Sequence, residues 1–172
     1  SEHGAELQSI KDNGGEEYLW QGDPAYWARR SPILFPIVCG LWKETYRVNG
    51  KEYHLSRHGF ARDTDFTLLA KGDEQVVFGL HDTAETLERY PFHFNLAVSY
   101  KLTDNRIHVV WHVENTDDKT IYFQIGGHPA FLVPGAKAGE PVQGTMRFDN
   151  AEPMRVSINK DGFLTKGYHP FA

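Results

Sequence analysis

The stretch FHFNLAVSYKLTDNRIHVVWHVE, residues 92–114, holds two runs in which every second residue is apolar. Phe94, Leu96, Val98, Tyr100 and Leu102 alternate with Asn95, Ala97, Ser99 and Lys101. Ile107, Val109, Trp111 and Val113 repeat the pattern, with His108, His112 and Glu114 mostly on the other face. A period of two marks a strand with one buried face, not a helix. The polar turn TDNR joins the two runs, and after NTDDK the residues Ile121, Phe123 and Ile125 alternate again. The expectation is a meander of three consecutive antiparallel strands. Its apolar face needs a second layer to cover it.

Working outward, TYRVNGKEYHL places Asn49-Gly50 between two extended segments, the favoured signal for a type I′ hairpin turn. FTLLAKGDEQVVFGL reads as a second hairpin turning near Gly72-Asp73. Helix is scarce. In HDTAETLERYPF, Asp82 or Thr83 is placed to cap a short helix that ends before Pro91. Residues 132–172 carry four prolines and only short apolar runs, and GYHPFA offers no apparent closing strand. The extended run AELQSI begins almost at Ser1. The reading is one all-β domain over residues 1–172, a sandwich or related two-sheet form that looks cut at both ends.

The bulk numbers agree with a single globular unit. A chain of 172 residues buries about 70% of its unfolded surface. Hydrophobic residues make up 40% and charged residues 24%, and the net charge is −5 with Lys and Arg scattered. Such a surface suits neither nucleic acid nor an anionic membrane. No apolar run approaches the roughly 20 residues that span a bilayer. Cys39 is the only cysteine, so no disulfide framework exists, which fits a reducing, cytoplasmic setting.

Three stretches carry groups that grip polar ligands. IGGHPAF, residues 125–131, sets His128 between two glycines and a proline. Gly126 and Gly127 permit close approach to the backbone, and Pro129 stops the strand from continuing. SRHGFARD carries His58, Arg62 and Asp63 around Gly59, and WARRSPILFP carries Arg29 and Arg30. Each also has a plain structural reading: a packed histidine, a turn cap, a solvated arginine pair. A metal site is disfavoured. His108 and His112 share a strand face about 13 Å apart, too far for one ion. His54 and His58 have helical spacing in a segment that does not read as helix. There is no G-x-S-x-G, P-loop or dinucleotide fingerprint, and Cys39 lies in an apolar stretch. Imidazoles and arginines without nucleophile, metal or cofactor suggest proton transfer on an oxygen-rich ligand. Arginine forks together with rings such as Trp20, Trp27 and Phe60 suit a sugar.

In order, GAELQSI, EYLWQGDPAYWARRSPILFPIV, HLSRHGFARD, YPFHFNLAVSY and IGGHPAF resemble the aldose 1-epimerase (galactose mutarotase) superfamily, and within it the LacX-like branch. The resemblance runs from about Gly4 to Phe131. It implies a galactose-mutarotase-like supersandwich of mostly antiparallel strands and cofactor-free interconversion of the α and β anomers of an aldose. It also implies roles. His128 matches the general acid that protonates the ring oxygen, and His58 matches the second active-site histidine near that oxygen. Arg62 and Arg30 fall where related branches turn arginines toward the ligand, which leaves a phosphorylated sugar open.

Two departures stand out. FPIVCG places Gly40 where many relatives carry arginine. The family's general base is a glutamate on a late strand; Glu152, in AEPM, precedes a proline as that residue often does but follows IGGHPAF too soon, and is not assigned. The chain thus reads as the N-terminal and central portion of such a protein, without its base. Two other readings are kept: a non-catalytic carbohydrate-binding module on the same fold, and a cupin-like metal enzyme, against which the histidine spacings count.

Overall fold

The computed structural model describes residues 1–137, 140–144, 154–160 and 164–170. Among them the chain forms β1 (Ile33–Leu34), β2 (Thr45–Val48), β3 (Lys51–His54), β4 (Thr67–Lys71), β5 (Gln75–His81), α1 (Ala84–Arg89), β6 (Phe94–Thr103), β7 (Arg106–Asn115), β8 (Gly126–Gly127), β9 (Met154–Ile158) and β10 (Leu164–Pro170). The largest unit is a four-stranded antiparallel sheet in the order β4-β5-β6-β7. The all-β expectation holds.

Alternation in residues 94–102 becomes burial on one face. Phe94, Leu96, Val98 and Tyr100 are buried, while Asn95 and Lys101 are exposed. Val113, Trp111 and Val109 of β7 stand opposite Leu96, Val98 and Tyr100, so the two apolar rows share that face. Each such side chain withdrawn from water contributes about 1.5–3 kcal/mol. At Leu102 the core has already ended, since that residue is 49% exposed.

Turn chemistry sets the registers. Asn49 and Gly50 both take left-handed angles (φ 48° and 81°), as a type I′ turn requires, and join β2 to β3. The Gly72 amide donates to the Gln75 carbonyl (2.8 Å) and closes the β4–β5 turn. Helix α1 is capped by Thr83, whose hydroxyl accepts from the Thr86 amide while the Thr86 hydroxyl accepts from the Thr83 amide. Asp82, the other candidate cap, accepts instead from the Phe94 amide (3.0 Å) and lies 2.7 Å from His93 Nδ1.

The covering layer consists of short strands and connections. Phe35, Leu55, Phe60, Phe66, Tyr90 and Phe92 pack with the β6 residues in one core cluster. The Phe35 ring stands 5.0 Å from Phe94 and 6.0 Å from Tyr90, centroid to centroid. Tyr100 donates its hydroxyl to the Ala5 carbonyl (2.7 Å) and ties the N-terminal segment to the sheet.

Three expectations are corrected. Residues 121–125 do not form a third meander strand on β7. The Gln124 amide donates to Pro36 O (2.9 Å) and the Gln124 side chain accepts from the Val38 amide (3.0 Å), so the segment crosses to the covering layer. It leads into β8, which pairs with β1 (Ile33 opposite Gly127, Leu34 opposite Gly126). The sheet instead gains β4 and β5 on its other side. Near the end of the chain, β9 and β10 form an antiparallel hairpin where no closing strand was read. The run AELQSI joins no ladder; the Glu6 carboxylate accepts from the Arg30 and Ser31 amides (2.8 Å each). Glu152 lies outside the described residues.

Candidate functional site

Beyond β3 the chain makes a tight loop that holds His58. Gly59 sits at φ +71°, and a Cβ there would come within 2.2 Å of the Phe35 carbonyl oxygen, so no other residue fits. That oxygen accepts from the amides of Phe60 (3.0 Å) and Ala61 (3.1 Å). His58 itself is left-handed (φ 70°), as is Cys39 (φ 67°). The two residues are joined twice. The His58 amide donates to Cys39 O (2.9 Å), and the Cys39 amide donates to His58 Nδ1 (3.0 Å).

That second bond fixes the tautomer. With Nδ1 accepting, a neutral imidazole carries its proton on Nε2 and offers it as a donor. His58 is held in the neutral form by its surroundings. Burial lowers its pKa from 6.5 to about 4, with Arg62, Arg57 and His128 adding to the effect. At neutral pH it is therefore a hydrogen-bond donor, not a cation.

His128 follows β8 and is held by the backbone on both flanks. Its amide donates to Pro32 O (3.0 Å), and the Ala130 amide donates to Arg30 O (2.9 Å). From the opposite side, the Trp20 amide donates to Ala130 O (2.9 Å). Gly127 leaves room beneath the strand: a Cβ there would stand 3.1 Å from Trp111 Cζ2. The Trp111 indole nitrogen is buried there without a hydrogen-bond acceptor. The His128 side chain is exposed. Its ring lies 6.0 Å from that of His58 in an edge-on arrangement (68°) and 5.1 Å from the Trp27 ring. Two imidazoles remote in sequence thus meet at one place.

The arginines divide. Arg62 donates to the Arg57 carbonyl (2.8 Å), and its Nε stands 3.4 Å from Asp63 Oδ2 without hydrogen-bond geometry. Its positive charge is the largest Coulombic influence on His58. Arg29 donates to the Arg62 carbonyl (2.9 Å) and pairs with Asp63, clamping this loop. Arg30 donates one guanidinium nitrogen to the Gln8 carbonyl (2.7 Å) and reaches the His128 segment through its own backbone. Of the rings named from the sequence, Trp27 touches His128, and Trp20 donates its indole N–H to Trp27 O (2.8 Å). Phe60 is 2% exposed inside the core and offers no face to a ligand. The Cys39 amide and Trp111 escaped sequence reasoning; only the glycine pair hinted that something packs beneath residue 127.

Among the described residues, no group of three or more His, Cys, Asp or Glu side chains is gathered to hold a metal ion. No helix among them is long and apolar enough to cross a membrane.

The fold is that of the galactose-mutarotase-like class. The solved structure of a galactose mutarotase related enzyme from Lactobacillus acidophilus is similar with a TM-score of 0.85 and 38% identity, covering 99% of this chain and 58% of that one. A galactose mutarotase-like protein from Lactobacillus casei gives 0.82 and 38%, covering 99% and 63%. A family model described as aldose 1-epimerase matches residues 1–158, and the chain belongs to that family. Within it the chain falls in the LacX-like branch. Chromosomal protein LacX of Lactococcus lactis subsp. lactis is 38% identical over 170 residues, which is 94% of this chain and 56% of the relative. The chain therefore spans a little over half the length of the curated relatives it matches.

Proposed function

We propose that the complete protein is an isomerase that interconverts the α and β anomers of an aldose, either a hexose or a hexose phosphate. In this reading His128 delivers a proton to the ring oxygen as the C1–O5 bond breaks. A base accepts the C1 hydroxyl proton, and the O–H electron pair becomes the carbonyl bond of the open-chain aldehyde. Rotation about C1–C2 and closure on the other face complete the cycle. His58 donates from Nε2 to the same oxygen, where negative charge develops in the transition state. Arg62 and Arg30 serve the sugar hydroxyls or a phosphate, to which guanidinium forks are suited. No base is assigned among the described residues. General acid–base assistance of this kind contributes about 10² to 10⁴-fold. With a single cysteine and no disulfide to protect, the cytoplasm is the setting proposed.

The observation that carries the reading is the 6.0 Å meeting of His58 and His128, one of them a neutral donor. The test is polarimetry or saturation-transfer NMR on freshly dissolved α-anomers of glucose, galactose and glucose 6-phosphate, using the full-length protein. At least one sugar equilibrates faster than in buffer, and His128→Asn abolishes the acceleration. A fully active His128→Asn would remove the proposed acid. A sugar that raises the melting temperature without any acceleration would instead favour the binding-module alternative.

A further inference from the structure

Among the described residues, no hydrogen bond holds either ring nitrogen of His128, although hydrogen bonds fix its backbone on both flanks. Exposed side chains without a polar anchor sample several rotamers. What does touch the imidazole is two rings: His58 edge-on at 6.0 Å and Trp27, tilted by 45°, at 5.1 Å. His58 is itself fixed by Cys39. Trp27 is fixed by Trp20, which makes two bonds in different directions. Its backbone amide donates to Ala130 O (2.9 Å), two residues past His128, and its indole N–H donates to Trp27 O (2.8 Å). One residue thereby ties the Trp27 loop to the very segment that carries the histidine. Tyr26 packs edge-on against the outer side of Trp20 at 6.2 Å.

We propose that Trp27 is the positioning residue of His128, its indole face, braced by Trp20, holding the imidazole toward the ring of His58. The inference rests on the mutarotase reading for its catalytic consequence, but not for the geometry it asserts. Imidazole and indole prefer offset or tilted packing to free rotation, and the flat indole removes the rotamers that would swing the acid away. A misplaced acid lowers the chemical step and leaves sugar binding nearly untouched.

The experiment uses the full-length protein with Trp27→Leu, Trp27→Phe and Trp20→Phe. The imidazole C–H resonance of His128, assigned by its loss in His128→Asn, is followed through a pH titration beside the mutarotation kinetics. Trp27→Leu moves that resonance by removing the ring current. It lowers kcat by about 10- to 100-fold with KM changed less than about twofold. Trp27→Phe recovers much of both, and Trp20→Phe, which keeps bulk but loses the indole bond, falls between. A His128 resonance and titration unmoved in Trp27→Leu would overturn the proposal, as would an unmoved kcat beside a moved resonance. If Trp27→Leu does not fold, the same comparison between Trp20→Phe and wild type decides. Wild-type protein that accelerates no sugar sinks the mutarotase reading, while a His128 resonance moved in Trp20→Phe, which keeps the Trp27 ring and its ring current, still upholds the placement of His128.

Discussion

The β4–β7 sheet and the loops that meet at the two histidines are stabilised in different ways. In the sheet, Phe94, Leu96, Val98 and Tyr100 are buried by simple alternation, and the strand ladder satisfies the backbone. Free energy there is spread over many interchangeable apolar contacts. Around His58 and His128 there is no long ladder. A few main-chain bonds do the holding: Phe35 O takes two amides, Cys39 and His58 exchange two bonds, and Pro32 O takes the His128 amide. The sheet is robust because it is redundant, and the site is well defined because it is not. The His58 loop is tied to the sheet through Phe35, whose side chain lies in the core while its carbonyl anchors that loop, and the His128 segment meets the sheet at Trp111, beneath Gly127.

That contrast can be broken by experiment. The largest effect is expected in the sheet: Phe94→Ala, at a position fully buried among the rings of Phe35, Phe60 and Tyr90, costs about 4 kcal/mol in urea unfolding. Leu102→Ala, on the same strand face beyond the core, costs less than about 1 kcal/mol. Equal losses at the two positions would mean that the burial gradient along β6 is wrong. Next comes Gly59→Ala, whose methyl meets the Phe35 carbonyl at a left-handed φ. A loss of about 3 kcal/mol is expected, with the His58 NMR signal displaced. A variant as stable as wild type would show that the loop is not the rigid frame described.

The smallest effect is a pH dependence. Unfolded His58 titrates near 6.5, whereas in the folded chain burial holds its pKa at about 4. Between those values the unfolded chain binds more protons, so acid favours unfolding. The contribution of His58 to stability is complete above pH 6.5 and declines as pH falls toward 4. The melting temperature of His58→Gln should therefore approach that of wild type as pH drops from 7 to 4. A constant difference across that range would leave the neutral imidazole without support.

Much of this was legible beforehand. The period-two runs located β6 and β7, and Asn49-Gly50 located a turn whose two positive φ angles only such residues accept readily. IGGHPAF and SRHGFARD named the two imidazoles. Pairing partners were not legible. Ile121, Phe123 and Ile125 alternate as a strand would, yet alternation reports two unlike sides and not which neighbour lies alongside. The Gln124 bonds to Pro36 and Val38 decided that. Phe60 was named for a sugar because ring chemistry is the same in a core and in a cleft; only burial separates them. The guanidinium bond of Arg30 to Gln8 O joins distant segments, a contact that no local pattern encodes.

One contact of the His58 loop bears on how such a site drifts over generations. The partner that selects the histidine tautomer is the amide of residue 39, not its side chain. Every amino acid except proline supplies that group, so what constrains residue 39 is its left-handed backbone, which disfavours β-branched residues, and not any chemistry of its side chain. What selection must preserve is a bend in the chain, and a bend leaves no motif for a reader comparing letters.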